Sequence, residues 1–415
     1  MNRILIIGGG ASGIAAAISA AKTNPSAQIT ILDGLDRIGK KILATGNGRC
    51  NLTNAQIAPG HYHTQNTSRL TELLADMPAE RTLAFFRDLG LYCTEEDGGR
   101  IYPYSRQASM VLDVLELALQ RYHIQVQYNC KVKALSVQKK VFTAQTESGK
   151  IFHADAVILA AGGRAAPKQG TNGTSYPLAL QMGHRYARLY PCLVPLRCGQ
   201  QLAILKQLKG IRVICRATLL DGKQKLTEEL GEVQLTDYGL SGIPALQLSC
   251  WMQKPVQEQA YTVRLDLFPD WQHNELRTAL QQRIKQYPND TLEDNLLGLI
   301  HKKLLFAALE TLSLTPVSRL SSSLSRQDID KLVSLLKGWD FPITGVQSWD
   351  HAQVTGGGVF LNEIDNRFRS LRQSGLFLAG EILDVVGDCG GYNLHWAWCS
   401  GMTAGEAAAE YIMHE

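Results

Sequence analysis

The apolar positions of this chain change period along its length, and the order of those changes predicts an α/β architecture. Ile4-Leu5-Ile6-Ile7 is a continuous apolar run of the length expected for a parallel strand buried on both faces. After Gly8-Gly9-Gly10-Ala11-Ser12-Gly13, the residues Ile14, Ile18 and Ala21 share one helix face, and Ile29-Thr30-Ile31-Leu32 makes a second strand ending on Asp33. Residues 34–54 are rich in Gly, Asn and Thr and read as an ordered loop. Helical periodicity returns over 68–90 and 107–122, with Val111, Leu115 and Ala118 or Leu119 on one side. Three short β patterns follow at about 124–137, 140–147 and 150–153. Ala156-Val157-Ile158-Leu159-Ala160 then runs into Ala161-Gly162-Gly163 as another buried parallel strand.

The texture shifts near residue 190. Residues 211–220, 232–236 and 261–268 read as strands of an antiparallel layer or barrel, an inserted domain. Residues 272–313 and 325–338 are helical, with Leu296, Leu297, Ile300, Leu304 and Ala308 as an apolar core stripe. Residues 354–359 are extended and glycine-rich, 375–381 form a short apolar strand, and a glycine loop leads into a last helix near Asn393.

A chain of 415 residues exceeds one small core and predicts two or three domains. No run reaches the roughly eighteen consecutive apolar residues of a membrane helix, and the chain opens on a strand instead of a signal peptide. A cytoplasmic location with no membrane partner is therefore expected. The nine cysteines show no CxxC pair and no metal-ligand spacing, so most read as buried thiols and no metal site is expected. The net charge is +4, and the basic stretches 37–41 and 131–140 are interrupted by apolar residues. They read as solvated faces, and no nucleic-acid partner is expected.

The first glycine turn carries chemistry. Gly8 permits the tight turn, Gly10 allows backbone to approach a pyrophosphate, and Gly13 lets the helix pack on the strand. The helix N-terminus offers N–H groups and partial positive charge to phosphates. Asp33, twenty residues past Gly13, suits the hydroxyls of an unphosphorylated ribose. The second half of the site is the block from Ala379-Gly380-Glu381 to Gly387-Asp388-Cys389-Gly390-Gly391-Tyr392-Asn393-Leu394-His395. A carboxylate after a buried strand can bind a ribitol hydroxyl. Two glycines before a helix allow close approach to a flat ring, with the helix N-terminus facing the flavin N1 and C2 carbonyl.

The strings KKILATGNGRCNLTN, LTDYGLSGIPALQ and LAGEILDVVGDCGGYNLHWAWCSG resemble the BaiN-like family of FAD-dependent oxidoreductases, also known as aminoacetone-oxidase-like flavoproteins. The resemblance spans nearly the whole chain. It implies a Rossmann-like, glutathione-reductase-type FAD domain built from both chain ends, residues 1–189 and 345–415. A β-rich substrate or cap domain at 190–270 and a helical domain at 271–344 would be inserted between them. It places Gly10, Ala11 and Ser12 at the pyrophosphate and Asp33 at the adenosine ribose. Lys41, Thr45, Gly46, Arg49, Cys50 and Asn51 would line the loop toward the flavin. Val132 would meet adenine through its backbone, Ala161 and Gly162 would pass beneath the ribose, and Gly380, Glu381, Asn393 and Leu394 would hold ribitol and ring.

Some positions depart from the family pattern. Thr236-Asp237-Tyr238 stands where many members carry Thr-His, which removes that His as a base. Gly242-Ile243-Pro244 replaces a direct Gly-Pro. Arg369-Ser370-Leu371 replaces an acidic-Ser-Lys run after Glu363, leaving in doubt an ion pair expected there. Cys50 has no second cysteine nearby, so it reads as non-catalytic, and His395 reads as packing. Tyr238, Tyr392 and His395 are the candidates for a catalytic acid.

The expected activity is reduction of a conjugated C=C in an enone-type, steroid- or bile-acid-like substrate, with hydride transfer at flavin N5. No second GxGxxG unit is present, so NAD(P)H is expected only as a transient donor to non-covalent FAD. The alternatives are oxygen-dependent oxidation of a small amine such as aminoacetone and, from another class, an RNA-binding or non-enzymatic flavoprotein. A monomer or small homo-oligomer acting on a small molecule is expected.

Overall fold

The first strand, Arg3–Ile7, lies at the centre of a parallel sheet because its apolar side chains need cover on both faces. In the computed structural model, which describes residues 2–199, 202–252 and 260–414, it pairs with Gln28–Leu32 on one side and Ala156–Leu159 on the other. The sheet order is Leu376–Leu378, Ala156–Leu159, Arg3–Ile7, Gln28–Leu32, Gln125–Gln127, all parallel. Segments from both ends of the chain thus share one sheet. Ile14 and Ile18 of the first helix, Ala11–Thr23, are fully buried, as their spacing predicts.

The last helix, Tyr392–His414, packs on the first through glycine. A Cβ on Gly401 would lie 2.2 Å from the Ser12 carbonyl oxygen, and one on Gly405 2.1 Å from that of Ala16. Only hydrogen at both positions lets the two backbones come this close.

The chain divides into two compact units, residues 1–192 with 349–415 and residues 193–348. The second unit is a closed antiparallel barrel in the order Leu196–Cys198, Gly239–Ser241, Gln224–Leu235, Arg212–Asp221, Tyr261–Asp266, Trp339–Val346. Its strands share one hydrophobic core with its helices, in which Ala217, Val233 and Val263 pack with Leu304, Leu332 and Leu336. Among the described residues no helix is long and apolar enough to cross a membrane.

The structure corrects several elements. The 68–90 helix is two, Thr67–Ala75 and Ala79–Asp88, because Pro78 lacks an N–H and disfavours helical backbone at Met77. The 34–54 loop contains a helix, Lys40–Ala44, a tight 3₁₀ turn, Thr45–Gly48, and a two-residue strand, Thr53–Asn54. The 272–313 helix is three, His273–Gln286, Leu292–Leu296 and Lys302–Thr311, interrupted near Pro288 and at Gly298, whose φ is +80°. Leu297 and Ile300 fall between helices, and Leu297 is exposed, so the five-residue stripe does not exist. The strand expected at 232–236 starts at Gln224. Its polar half, residues 224–229, pairs with residues 217–221 across a turn at Gly222 and carries no apolar alternation of its own.

Candidate functional site

The glycine turn is shaped by what it packs against. Gly8 has φ +111°, and a Cβ there would lie 2.4 Å from the Ala160 carbonyl oxygen and 2.6 Å from Ala161 Cα. From Gly13, a Cβ would meet the Gly8 carbonyl oxygen at 1.9 Å. Gly10 differs: a Cβ there would meet nothing within 4 Å. No side chain caps the first helix, so the N–H groups of its first turn, those of Ala11 and Ser12 included, are presented beside open space. That is the arrangement a pyrophosphate needs.

Asp33 closes the turn from the next strand. Its Oδ2 accepts the Gly9 N–H at 2.7 Å and its Oδ1 the Leu35 N–H at 2.8 Å. Burial raises its pKa, and the N–H groups of Leu35 and Gly9 oppose that rise. Each oxygen keeps a second lone pair for a hydroxyl. Asn129 and Cys130 donate their N–H groups to the Leu35 and Asp33 carbonyls at 2.8 and 2.7 Å, which brings Val132, first residue of Val132–Gln138, to the end of this strand.

Lys41 and Glu381 meet each other. Lys41 Nζ lies 2.6 Å from Glu381 Oε2, and Glu381 Oε1 accepts the Thr355 N–H at 2.9 Å. Thr355 Oγ1 in turn accepts the N–H groups of Arg164 at 2.7 Å and Ala165 at 2.9 Å, just beyond Gly162, whose φ is +71°. Four distant segments are tied by this chain. Gly380 faces Ser12, whose Oγ would lie 2.4 Å from a Cβ at that position.

The loop from Thr45 to Asn51 is tightly folded. Thr45 Oγ1 donates to the Ile42 carbonyl, and a Cβ on Gly46, φ +56°, would press on Asn51 N at 3.0 Å. Arg49 is committed to Glu96 at 3.3 Å and to the Tyr102 hydroxyl at 3.2 Å. Cys50 is fully buried, and burial pushes its thiol up to about 12, partly opposed by Thr45. Such a thiol is inert. Asn51 is the notable member: its Oδ1 is buried and has no hydrogen-bond partner among the described residues. A buried acceptor without a donor is costly, and a ligand N–H or O–H would satisfy it.

At the other end, Asn393 clamps the glycine loop. Its Oδ1 accepts the Gly387 N–H at 2.8 Å and its Nδ2 donates to the Gly387 carbonyl at 2.6 Å. Leu394 is half-buried against the core. His395 is fully buried. Its Nε2–H donates to the Met77 carbonyl at 2.9 Å, and its Nδ1 accepts from the hydroxyls of Thr53 at 2.8 Å and Thr82 at 3.1 Å. Burial pushes its pKa down to about 4, so it is a neutral structural group. Tyr392 is buried, and burial and the Asp388 carboxylate raise its pKa. Tyr238 lies in the barrel unit, half-buried, in a turn where Gly239 N–H meets Thr236 Oγ1 at 3.1 Å.

Glu363 itself carries ion pairs, to partners outside the Arg369-Ser370-Leu371 run. Glu363 accepts from Arg185 Nε and Arg372 Nη2, both at 3.0 Å, and from His184 Nδ1 at 3.1 Å. Burial pushes its carboxyl up, but these donors and the Arg185 N–H outweigh that and hold it low. Beyond the predicted residues, His61 and His63 meet Asp388 of the glycine loop. His63 Nε2 lies 2.9 Å and His61 Nδ1 3.3 Å from the two Asp388 oxygens. The His-Tyr-His alternation was the available signal, since residues two apart in extended chain share a face.

The fold and site define a Rossmann-type, FAD-dependent oxidoreductase. The chain belongs to the family of the HI0933-like protein Rossmann domain, which matches residues 2–407. It is 41% identical over 412 residues to the 3-dehydro-bile acid delta(4,6)-reductase of Clostridium scindens, covering 99% of this chain and 100% of that protein. It is 29% identical over 401 residues to the ribosomal RNA dihydrouridine synthase of Haemophilus influenzae, covering 95% and 96% respectively. Among solved structures, the 3-ketosteroid delta1-dehydrogenase of Sterolibacterium denitrificans shares the fold, with a TM-score of 0.51 at 13% identity over 99% of this chain and 100% of that one.

Proposed function

We propose that the protein reduces a C=C bond conjugated with a carbonyl, in a 3-oxo, bile-acid-like substrate, with electrons drawn from NAD(P)H. The observation that carries this reading is the 41% identity, over the full length of both chains, to the 3-dehydro-bile acid delta(4,6)-reductase. The dihydrouridine synthase supports the reaction type, because the C5=C6 bond of uracil is also conjugated with a carbonyl.

FAD, when bound, supplies the hydride through its N5. The residues present fit it: among the described residues, an uncapped helix N-terminus beside Gly10 and the Asn51 Oδ1, which has no partner there, are left open at this site. In this reading Gly10, Ala11 and Ser12 hold the pyrophosphate and Asp33 the adenosine ribose. Val132, Ala161 and Gly162 pack along the adenosine, and Gly380 and Leu394 along ribitol and ring. Asn51 Oδ1 accepts a hydrogen bond from the ribityl–flavin half. The Lys41–Glu381 pair and the Asn393 clamp keep the two walls in place.

The test is anaerobic. NADPH or NADH should bleach the purified yellow protein, and a 3-oxo-4-ene or 3-oxo-4,6-diene bile acid should restore its colour. Bleaching by aminoacetone alone, with reoxidation only by oxygen, would replace this reading with amine oxidation. The match to a ribosomal RNA enzyme favours one second reading, uridine in RNA as the acceptor. Unmodified ribosomal RNA that restores the colour where bile acids do not would establish it.

A further inference from the structure

The geometry points to His61, oriented by Asp388, as the proton donor to the substrate α-carbon. This rests on the reading of the reaction as reduction of a conjugated alkene.

Asp388 follows Gly387 in the glycine loop before the last helix. One oxygen faces His63 Nε2 at 2.9 Å and the other His61 Nδ1 at 3.3 Å. The main chain locks this grouping: Asp388 N–H donates to the His61 carbonyl at 2.9 Å, and Tyr62 and His63 pair in register with Gly387 and Val386. The His61 ring stacks on Tyr392, centroids 4.5 Å apart and planes 17° from parallel. Each ring therefore has a fixed orientation.

A carboxylate only accepts, so Asp388 selects the Nδ1–H form of His61 and the Nε2–H form of His63. Nε2 of His61 is then the nitrogen left to exchange a proton. The His61 side chain is 38% exposed against 11% for His63, so His61 is the one that can be reprotonated from water. His395, by contrast, has both ring nitrogens engaged in the core. The loop that carries Asp388 also runs to the unpartnered acceptor, since a Cβ on Gly391 would lie 2.9 Å from Asn51 Oδ1. The charged and titratable groups facing His61 are Asp388, His63, Tyr62 and Tyr392, with Arg100 acting on Tyr392.

The step balances. The β-carbon would receive the hydride that bound FAD, reduced by a nicotinamide, would supply. The resulting enolate takes a proton at its α-carbon from Nε2–H of the His61 imidazolium. One π bond is exchanged for two C–H bonds, and His61 is left neutral with Nδ1–H on Asp388.

The test uses the FAD-loaded protein in stopped flow, with a 3-oxo-4-ene bile acid as acceptor. His61→Gln should slow reoxidation by about 100-fold or more, while reduction by NADPH stays within about twofold. Independently of turnover, nitrogen NMR of the His61 ring should show the Nδ1–H tautomer that Asp388 selects, and Asp388→Ala should abolish that preference. Wild-type reoxidation in His61→Gln, or an unchanged His61 tautomer in Asp388→Ala, overturns the assignment. Wild-type protein that reduces no enone overturns the reaction reading and this proposal together. An active wild type with a fully active His61→Gln overturns this proposal alone.

Discussion

Lys41 and Glu381 stand 340 positions apart in the chain and meet at 2.6 Å. Their side chains are 26% and 19% exposed, so water screens the pair less than it screens a surface ion pair. Glu381 also holds the Thr355 N–H, and Thr355 holds those of Arg164 and Ala165. The pair therefore ties the loop after the second strand to the C-terminal segment across the proposed cofactor site. Lys41→Met should leave a shielded carboxylate without its cation and cost about 1–3 kcal/mol. If half of that falls on the FAD complex, its Kd rises about two- to twelvefold. Chemical denaturation and flavin fluorescence titration measure the two terms separately.

Asn51 gives opposite signs with and without cofactor. Its Oδ1 has no partner among the described residues, so Asn51→Leu removes a buried acceptor that the protein itself does not satisfy. The apoprotein should keep or raise its Tm, whereas FAD affinity should fall by about ten- to a hundredfold, the loss of one or two hydrogen bonds. Thermal melts of apo and FAD-loaded protein decide this.

His395 predicts a pH window. Its pKa is near 6.5 unfolded and about 4 folded, so between these values the unfolded chain binds the extra proton. The stability it contributes is fully present above pH 6.5 and is lost as pH falls toward 4, about 3 kcal/mol in all. Urea unfolding at pH 7.5 and 5 should show a steeper loss for wild type than for His395→Gln. Equal losses would disprove the neutral, buried state.

Gly405→Ala should cost about 1–3 kcal/mol, because the new methyl meets the Ala16 main-chain carbonyl at 2.1 Å and that atom cannot swing aside. The strain falls on the helix whose N-terminus faces Gly10, so FAD retention during gel filtration should drop with the Tm.

Cys50 should resist alkylation. With the thiol buried and its pKa near 12, iodoacetamide at pH 8 should leave it unmodified in folded protein and label it after denaturation, read by mass spectrometry.

Local rules explain what was legible. The strand–glycine turn–helix at the start is set by short-range sterics: Gly13 meets the Gly8 carbonyl only five positions away, and Ile14 and Ile18 recur at the helix period. Pro78 was equally local and its break was overlooked, because the apolar period continues on both sides of it. The polar first half of the strand from Gln224 carries no period, since its place comes from pairing with residues 217–221.

By itself, then, the amino-acid sequence determined the dinucleotide turn, the parallel strands that flank it and the family to which the chain belongs. Tertiary structure alone decided the partners of the polar side chains. Lys41, Glu381 and Asn393 are each engaged with other protein groups, and among the described residues Asn51 Oδ1 is left open. Likewise His61 and His63 acquire a role only when Asp388, more than three hundred residues later, is folded between them. Hydrogen bonds and ion pairs depend on distances of about 3 Å between groups that any chain order can bring together, whereas strand and helix periods are properties of neighbours.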